Sequence, residues 1–208
     1  GDDADALSDV LPQARPGARR VVCLPAWKWW STRLRLRTAR PRAGEGTWAF
    51  TPISAEMLAQ RRGWRWEVTH LDANPHALAL NPGGRNITGS ALALPFRDAH
   101  FDVVIASQMT HHFTDAEVAT HFREAWRVAR RAVLLSDLHR NAFLYALVWL
   151  GSRAVGFSRE MREDGEISVR RGFHLGEWRR HAESAGIPDA RVWLYAGTRI
   201  MLAARKPT

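Results

Sequence analysis

Phe101-Asp-Val-Val-Ile-Ala-Ser107 is a short, almost wholly apolar run that ends on a small hydroxyl residue. Trp66-Glu-Val-Thr-His-Leu-Asp72 precedes it and ends on an acid, and Ala132-Val-Leu-Leu-Ser-Asp137 follows. Helix-like segments lie between these runs. Strands that alternate with helices build βαβ units and a parallel sheet covered on both faces, which is why its strands carry little polar alternation. In such sheets ligands sit beyond the carboxyl ends of the strands. Those ends are Asp72, Ser107 and Asp137, and the search for a site starts there.

Outward from this centre, Asp2 to Val10 has the spacing of a short amphipathic helix, and Arg19 to Leu24 reads as a first buried strand. Ser54 is placed to cap a helix through Arg62 that Gly63 stops. Asn74-Pro75 opens a helix through Leu80, Asn81-Pro-Gly-Gly84 is a turn, and Asn86 to Gly89 is a short strand. Thr114 caps a long helix to Arg130, with Glu117 placed for a capping box. Val118, Phe122, Trp126 and Val128 or Ala129 supply its buried face. Asn141 to Phe157 reads as an apolar helix and Ser158 to Glu166 as a charged loop. A helix from Leu175 to Ala185 is closed by Gly186, and Arg191 to Tyr195 and Arg199 to Ala204 make a terminal hairpin around Ala196-Gly197.

The 208 residues fit one domain, 46% apolar and 25% charged, as in a soluble globular protein. One cysteine, Cys23, excludes an internal disulfide framework. No apolar signal segment opens the sequence, and the run Ala142 to Leu150 falls far short of the roughly 20 residues that span a bilayer. A cytoplasmic protein without a membrane span is the expectation. The net charge of +9 would suit nucleic acid, but it is local. Residues 15 to 65 hold 12 Lys/Arg against 2 Asp/Glu, and the remainder is nearly balanced.

Five elements in order resemble one family: Leu71-Asp-Ala-Asn-Pro, Gly89-Ser-Ala-Leu-Ala-Leu-Pro-Phe96, Phe101-Asp-Val-Val, Ser107-Gln-Met-Thr-His-His-Phe113 and the terminal hairpin. Together, over roughly Arg62 to Ala204, the chain resembles the class I S-adenosylmethionine-dependent methyltransferases, in particular the small-molecule ubiquinone/menaquinone-type group. The resemblance implies a Rossmann-like α/β fold, doubly wound, with a mostly parallel seven-stranded sheet and a C-terminal antiparallel hairpin. It also implies S-adenosylmethionine as cofactor. Asp72 would accept the ribose hydroxyls, Ser90-Ala91 would meet the adenine amine where the family has Asp-Ala, and Ser107 and Gln108 would line the methionine side. The full cofactor-binding set so implied is Asp72, Ala73, Asn74, Ser90, Ala91, Leu92, Ser107 and Gln108.

One element departs from the pattern. The family's first strand ends in an acid and a Gly-x-Gly-x-Gly turn, whose glycines let backbone approach the cofactor. Here Val22-Cys-Leu-Pro-Ala-Trp-Lys-Trp-Trp30 stands in its place, with no glycine between Gly17 and Gly44. Arg33-Leu-Arg-Leu-Arg37 can be encoded CGG CTG CGG CTC CGG, which read one base later gives Gly-Cys-Gly-Ser-Gly. The hypothesis that accounts for both the missing turn and the arginine excess is that roughly Leu24 to Pro52 is translated out of frame.

Several residues carry two readings. Asp72 binds ribose or caps the following helix. His111, His112 and His139 are the candidates for a general base; no third ligand at fitting spacing makes His111 and His112 a metal site. His139 is equally a loop residue. Asn141 to Phe157 is a core helix, or alternatively a lid on an apolar substrate, and Arg170-Arg171 is a solvated pair or an anchor for an acidic group. The function expected is methyl transfer to an oxygen or carbon of a small, partly apolar molecule. The alternatives are a methyltransferase-like binding or regulatory module without activity, and RNA binding through Trp27 to Arg42. A nicotinamide dehydrogenase is disfavoured, because no Gly-x-Gly-x-x-Gly follows the first strand.

Overall fold

The computed structural model describes residues 19–25, 66–79 and 85–207. The sequence readings at Asp2–Val10, at the Arg-rich segment and at the Ser54 helix lie outside these residues, as does the turn at Asn81. So does everything beyond Pro25 in the segment read as out of frame.

Strands β1 (Arg19–Pro25), β2 (Trp66–Asp72), β3 (Arg85–Thr88), β4 (Phe101–Ser107), β5 (Ala129–Leu138), β6 (Arg191–Tyr195) and β7 (Arg199–Arg205) form one sheet in the order β3-β2-β1-β4-β5-β7-β6. β1 to β5 pair in parallel, and β7 lies antiparallel between β5 and β6. The expected sheet and its closing hairpin are present. The strand order reverses between β1 and β4, where a doubly wound sheet opens a crevice at its carboxyl edge.

Between the strands run α1 (Pro75–Ala79), α2 (Asp115–Val128), α3 (Ala142–Ala154), α4 (Arg159–Arg170) and α5 (Leu175–Ser184). On one sheet face Val22, Leu24, Val104, Val133 and Leu135 meet Val118, Phe122 and Val128 of α2 and Trp178 of α5. The other face carries Val21, Cys23, Val103, Ala132 and Leu134. Phe122 and Trp178 pack edge to face, with ring centres 5.5 Å apart. The capping box of Thr114 and Glu117 forms as its sequence predicts.

Three boundaries differ from the sequence reading. β5 begins directly after α2, so Ala129 and Arg130, which the sequence reads as helix end, are strand. The cause is Asp102, a buried acid at the start of β4. Its Oδ2 accepts the Arg20 backbone N–H at 3.0 Å, and its Oδ1 accepts from the guanidinium groups of Arg130 and Arg131. Burial pushes its pKa up, but the hydrogen bonds and arginine charges outweigh that and hold it below the usual range.

The charged stretch after Ser158 is helix α4, not a loop. Ser158 Oγ accepts the Met161 N–H, and Arg159 and Glu163 pair one turn apart. A Cβ at Gly165 would stand 3.1 Å from Val148 Cγ1, so a small residue there lets α4 lie close on α3. The third difference is α3 itself. Of its residues only Leu144 and Ser152 are buried, so the apolar run is not a core helix.

Candidate active site at the carboxyl edge of the sheet

β2 delivers Asp72 to the carboxyl edge, half-buried. Its Oδ1 accepts the Asn74 N–H at 2.8 Å, and Asn74 Oδ1 accepts the His76 N–H at 3.0 Å. One carboxylate oxygen therefore starts the turn into α1, which is the capping reading. Ala73 is exposed beside it.

The loop after β3 carries Ser90, Ala91 and Leu92. Ser90 is exposed and its Oγ accepts the Leu92 N–H at 3.1 Å, while Ala91 is buried. This loop has almost no ladder of its own, and α2 supplies the missing partners with side chains three residues apart. His121 Nδ1 lies 3.3 Å from the Ala91 carbonyl, which can only accept, so this nitrogen carries the proton. Glu124 Oε2 accepts the Leu94 N–H at 2.8 Å. Arg127 donates to the carbonyls of Leu94 at 3.0 Å and Phe96 at 2.8 Å, and to Asp98. Glu124 and Arg127 are joined to each other. His121 is fully buried, and burial lowers its pKa to about 4, so it is neutral across the ordinary range.

Ser107 ends β4 opposite Ser136 of β5. Both are buried, and neither hydroxyl finds a partner among the described residues. Gln108, next in the chain, has a left-handed φ of 54° and donates its N–H to the Ser136 carbonyl at 2.8 Å. A residue held in this conformation stores strain of the kind found at functional turns. With its carboxamide oxygen turned to the guanidinium, Gln108 accepts from Arg199 Nη1 at 2.9 Å.

The turn Thr110–His112 then places His111 against Asp137 at the end of β5. His111 Nδ1 stands 2.6 Å from Asp137 Oδ1, and the His111 backbone N–H donates to Oδ2 at 3.0 Å. Leu138 N–H donates to Oδ1 at 2.7 Å. Asp137 is wholly buried and His111 nearly so. Burial would raise the Asp137 pKa, but the His111 charge and these hydrogen bonds outweigh it and keep the carboxylate ionised. Nδ1 is thus occupied and Nε2 is left as the working nitrogen.

His111 and His112 form one wall of a cavity of about 330 Å³, and the other is formed by Glu160, Glu163, Asp164 and Ile167 of α4 with Arg171 just beyond it. Burial raises the Asp164 pKa, with the charge of His111 pulling the other way. Arg171 faces the cavity, whereas Arg170 donates to the Tyr145 hydroxyl at 2.9 Å, so the two arginines part company. His139 lies elsewhere: its Nδ1 is 2.8 Å from Asn141 Nδ2, and its ring is edge-on to His174. Of the three candidate bases, the cavity brings together His111 and His112.

The sequence reading missed three residues of consequence here. In the sequence Asp137 marks a strand end, and an acid ending a central strand is the signal for a partner such as His111. The apolar face that His121 shares with Phe122 hides it. Asp164 lies in the stretch whose sequence reads as a loop.

These features have relatives. Residues 51–135 match the family model described as "Methyltransferase domain". That stretch is similar to methyltransferase domains. Its fold is shared with a SAM-dependent methyltransferase from Aquifex aeolicus, at 13% identity and a TM-score of 0.58, covering 98% of this chain and 89% of that one. A SAM-dependent methyltransferase from Methanosarcina mazei aligns at 16% identity and a TM-score of 0.59, covering 97% and 96%. PigF with SAH aligns at 14% identity and a TM-score of 0.53, covering 91% of this chain and 50% of that one. No curated protein matches the sequence. Two of these structures are described as SAM-dependent methyltransferases and the third holds SAH. The donor set here suits such a ligand: an acid at the end of β2 and an orphaned buried hydroxyl, Ser107, at the end of β4, both on the carboxyl edge.

Proposed function

We propose that this protein methylates a hydroxyl oxygen of a small, partly apolar molecule. The observation that carries the reading is the buried His111–Asp137 pair on the wall of a cavity beside the expected cofactor edge. A carbon acceptor has less need of a base, and an oxygen acceptor gains directly from one.

S-adenosylmethionine supplies an already activated methyl group. The chain's own residues have the remaining tasks. Asp72 would hold the ribose diol, Ser90 and Ala91 would face the adenine, and Ser107 and Gln108 would border the methionine portion. Ala73, Asn74 and Leu92 would flank these contacts. The acceptor hydroxyl enters the cavity between His111 and α4. His111 Nε2 would take the proton that the acceptor hydroxyl gives up when its oxygen is methylated. Asp137 fixes the tautomer and steadies the imidazolium that results.

Calorimetric titration with S-adenosylhomocysteine tests the cofactor half. Micromolar binding that is lost in Asp72→Ala supports it. Absence of binding in a chain that still melts cooperatively would move the protein to the alternative of a binding module without activity. Turnover of a phenolic acceptor tests the base: His111→Asn should lose it while S-adenosylhomocysteine affinity is retained.

A further inference from the structure

One stripe of α4 makes the acceptor wall. Glu160, Glu163, Asp164, Ile167 and Ser168 recur at helical spacing and line the cavity that His111 and His112 bound from the other side. Carboxylates are seldom drawn toward an enclosed space unless something cationic meets them. The three acids of this wall differ in what already answers their charge. Glu160 is exposed. Glu163 is exposed and accepts from Arg159 Nε at 2.6 Å, an arginine outside the lining. Asp164 is half-buried, and among the described residues no hydrogen bond or ion pair engages its carboxyl. Arg171, the one arginine of the lining, is exposed and seven residues further on, about two turns or roughly 10 Å along the helix axis.

His111 supplies the second observation. Its side chain is 5% exposed, Asp137 takes Nδ1, and nothing among the described residues engages Nε2. The cavity therefore has two polar groups without partners on facing walls: a nitrogen that can take a proton and a carboxylate that lacks a cation. Ile167 and the His112 ring lie between them in the lining. A volume of about 330 Å³ is at the small end for ligand pockets and suits one ring with a short chain.

We propose that the acceptor is a small hydroxylated amine, with its ammonium held by Asp164 and its hydroxyl presented to His111, so that Asp164 sets the specificity of the site. The role of the hydroxyl rests on the methyl-transfer reading; the ammonium contact rests on the cavity. An ammonium brings three donors to an acceptor-only carboxylate, and partial burial makes the pair stronger than one in open water. An anionic molecule of the same shape meets Asp164, Glu160 and Glu163 and is turned away.

Equilibrium titration of the full chain with three phenols of one shape decides it. Tyramine is the cation, para-propylphenol its neutral match and para-hydroxyphenylpropanoate the anion. Tyramine should bind about tenfold tighter than the neutral phenol, the anion should bind weakest, and the gaps should narrow as salt is raised. Asp164→Asn should erase the preference for tyramine, leave para-propylphenol unchanged and not lower the melting temperature, because it removes a half-buried charge without a partner. Asp164→Glu, which keeps the charge, should keep the preference. Failure of tyramine to bind, equal affinity for tyramine and para-propylphenol, or an undiminished preference in Asp164→Asn would each overturn the proposal. So would an equal loss for both phenols in Asp164→Asn, which would make Asp164 a partner of His111 and not of the ligand. Titration of the same samples with S-adenosylhomocysteine reads the methyl-transfer assignment separately: the tyramine preference can fail in a chain that binds it, or stand in one that does not.

Discussion

Helices α2 and α3 are of nearly equal length and opposite fate. α2 is rich in charge, yet Val118, His121, Phe122, Ala125 and Val128 are all buried. α3 is apolar almost throughout, with Leu144 and Ser152 its buried residues. Composition does not decide burial here. α2 has apolar residues at helical spacing on one stripe, a face that fits a sheet, and polar groups beside it that satisfy a neighbouring loop. α3 lies outside the sheet's cover, against α4, with its apolar surface turned outward.

The largest effects separate the two helices by stability. Phe122→Ala should cost about 3–5 kcal/mol in urea unfolding, whereas Leu150→Ala should stay within about 0.5 kcal/mol. Similar losses at both positions would break the comparison.

Next in size is an acid limb that belongs to α2. The unfolded chain binds the His121 proton near 6.5 and the folded chain near about 4. Folding stability from the neutral form is therefore complete above about 6.5 and falls away as pH drops toward about 4, by about 3 kcal/mol over the window. His121→Asn, which keeps a donor for the Ala91 carbonyl, should flatten this limb. α3 has no histidine, so Leu150→Ala should leave it in place.

A smaller effect concerns chemistry at the turn that leads into α2. His111→Asn should slow methyl transfer to a hydroxyl by about a hundredfold, with S-adenosylhomocysteine affinity retained. The smallest concerns the loop that α2 holds. Arg127→Met leaves the Leu94 and Phe96 carbonyls without their donor and should cost about 1–3 kcal/mol of stability. It should also weaken S-adenosylhomocysteine through Ser90 and Ala91. Hydrogen exchange should rise at residues 90–98, and uniform exchange would break the assignment.

The sheet was legible because its signals are local and redundant. β4 is a continuous apolar run, Thr114 and Glu117 mark a helix start, and Ala196-Gly197 marks a hairpin. What escaped reading depends on pairs far apart in sequence. Asp102 holds Arg130 in the strand from 28 residues away, and Asp137 meets His111 across 26. α3 misled for a different reason. Apolar content predicts that a helix will be covered, but not by what, and the covering surface is absent from the described residues.

The hairpin of α3 and α4 leaves and rejoins the sheet at one point. Phe173 N–H donates to the Leu138 carbonyl at 3.0 Å, and Arg140 N–H donates to the Phe173 carbonyl at 3.0 Å. A Cβ at Gly172 would come within 2.7 Å of that Leu138 oxygen, so the crossing has room for glycine alone. Everything between Arg140 and Gly172 is a closed excursion, clasped at its neck. Such a piece can be exchanged as a cassette. A hairpin of another length or chemistry, grafted at the same clasp, would give the protein a new acceptor wall while the strands, Asp72 and the loop under α2 stay as they are.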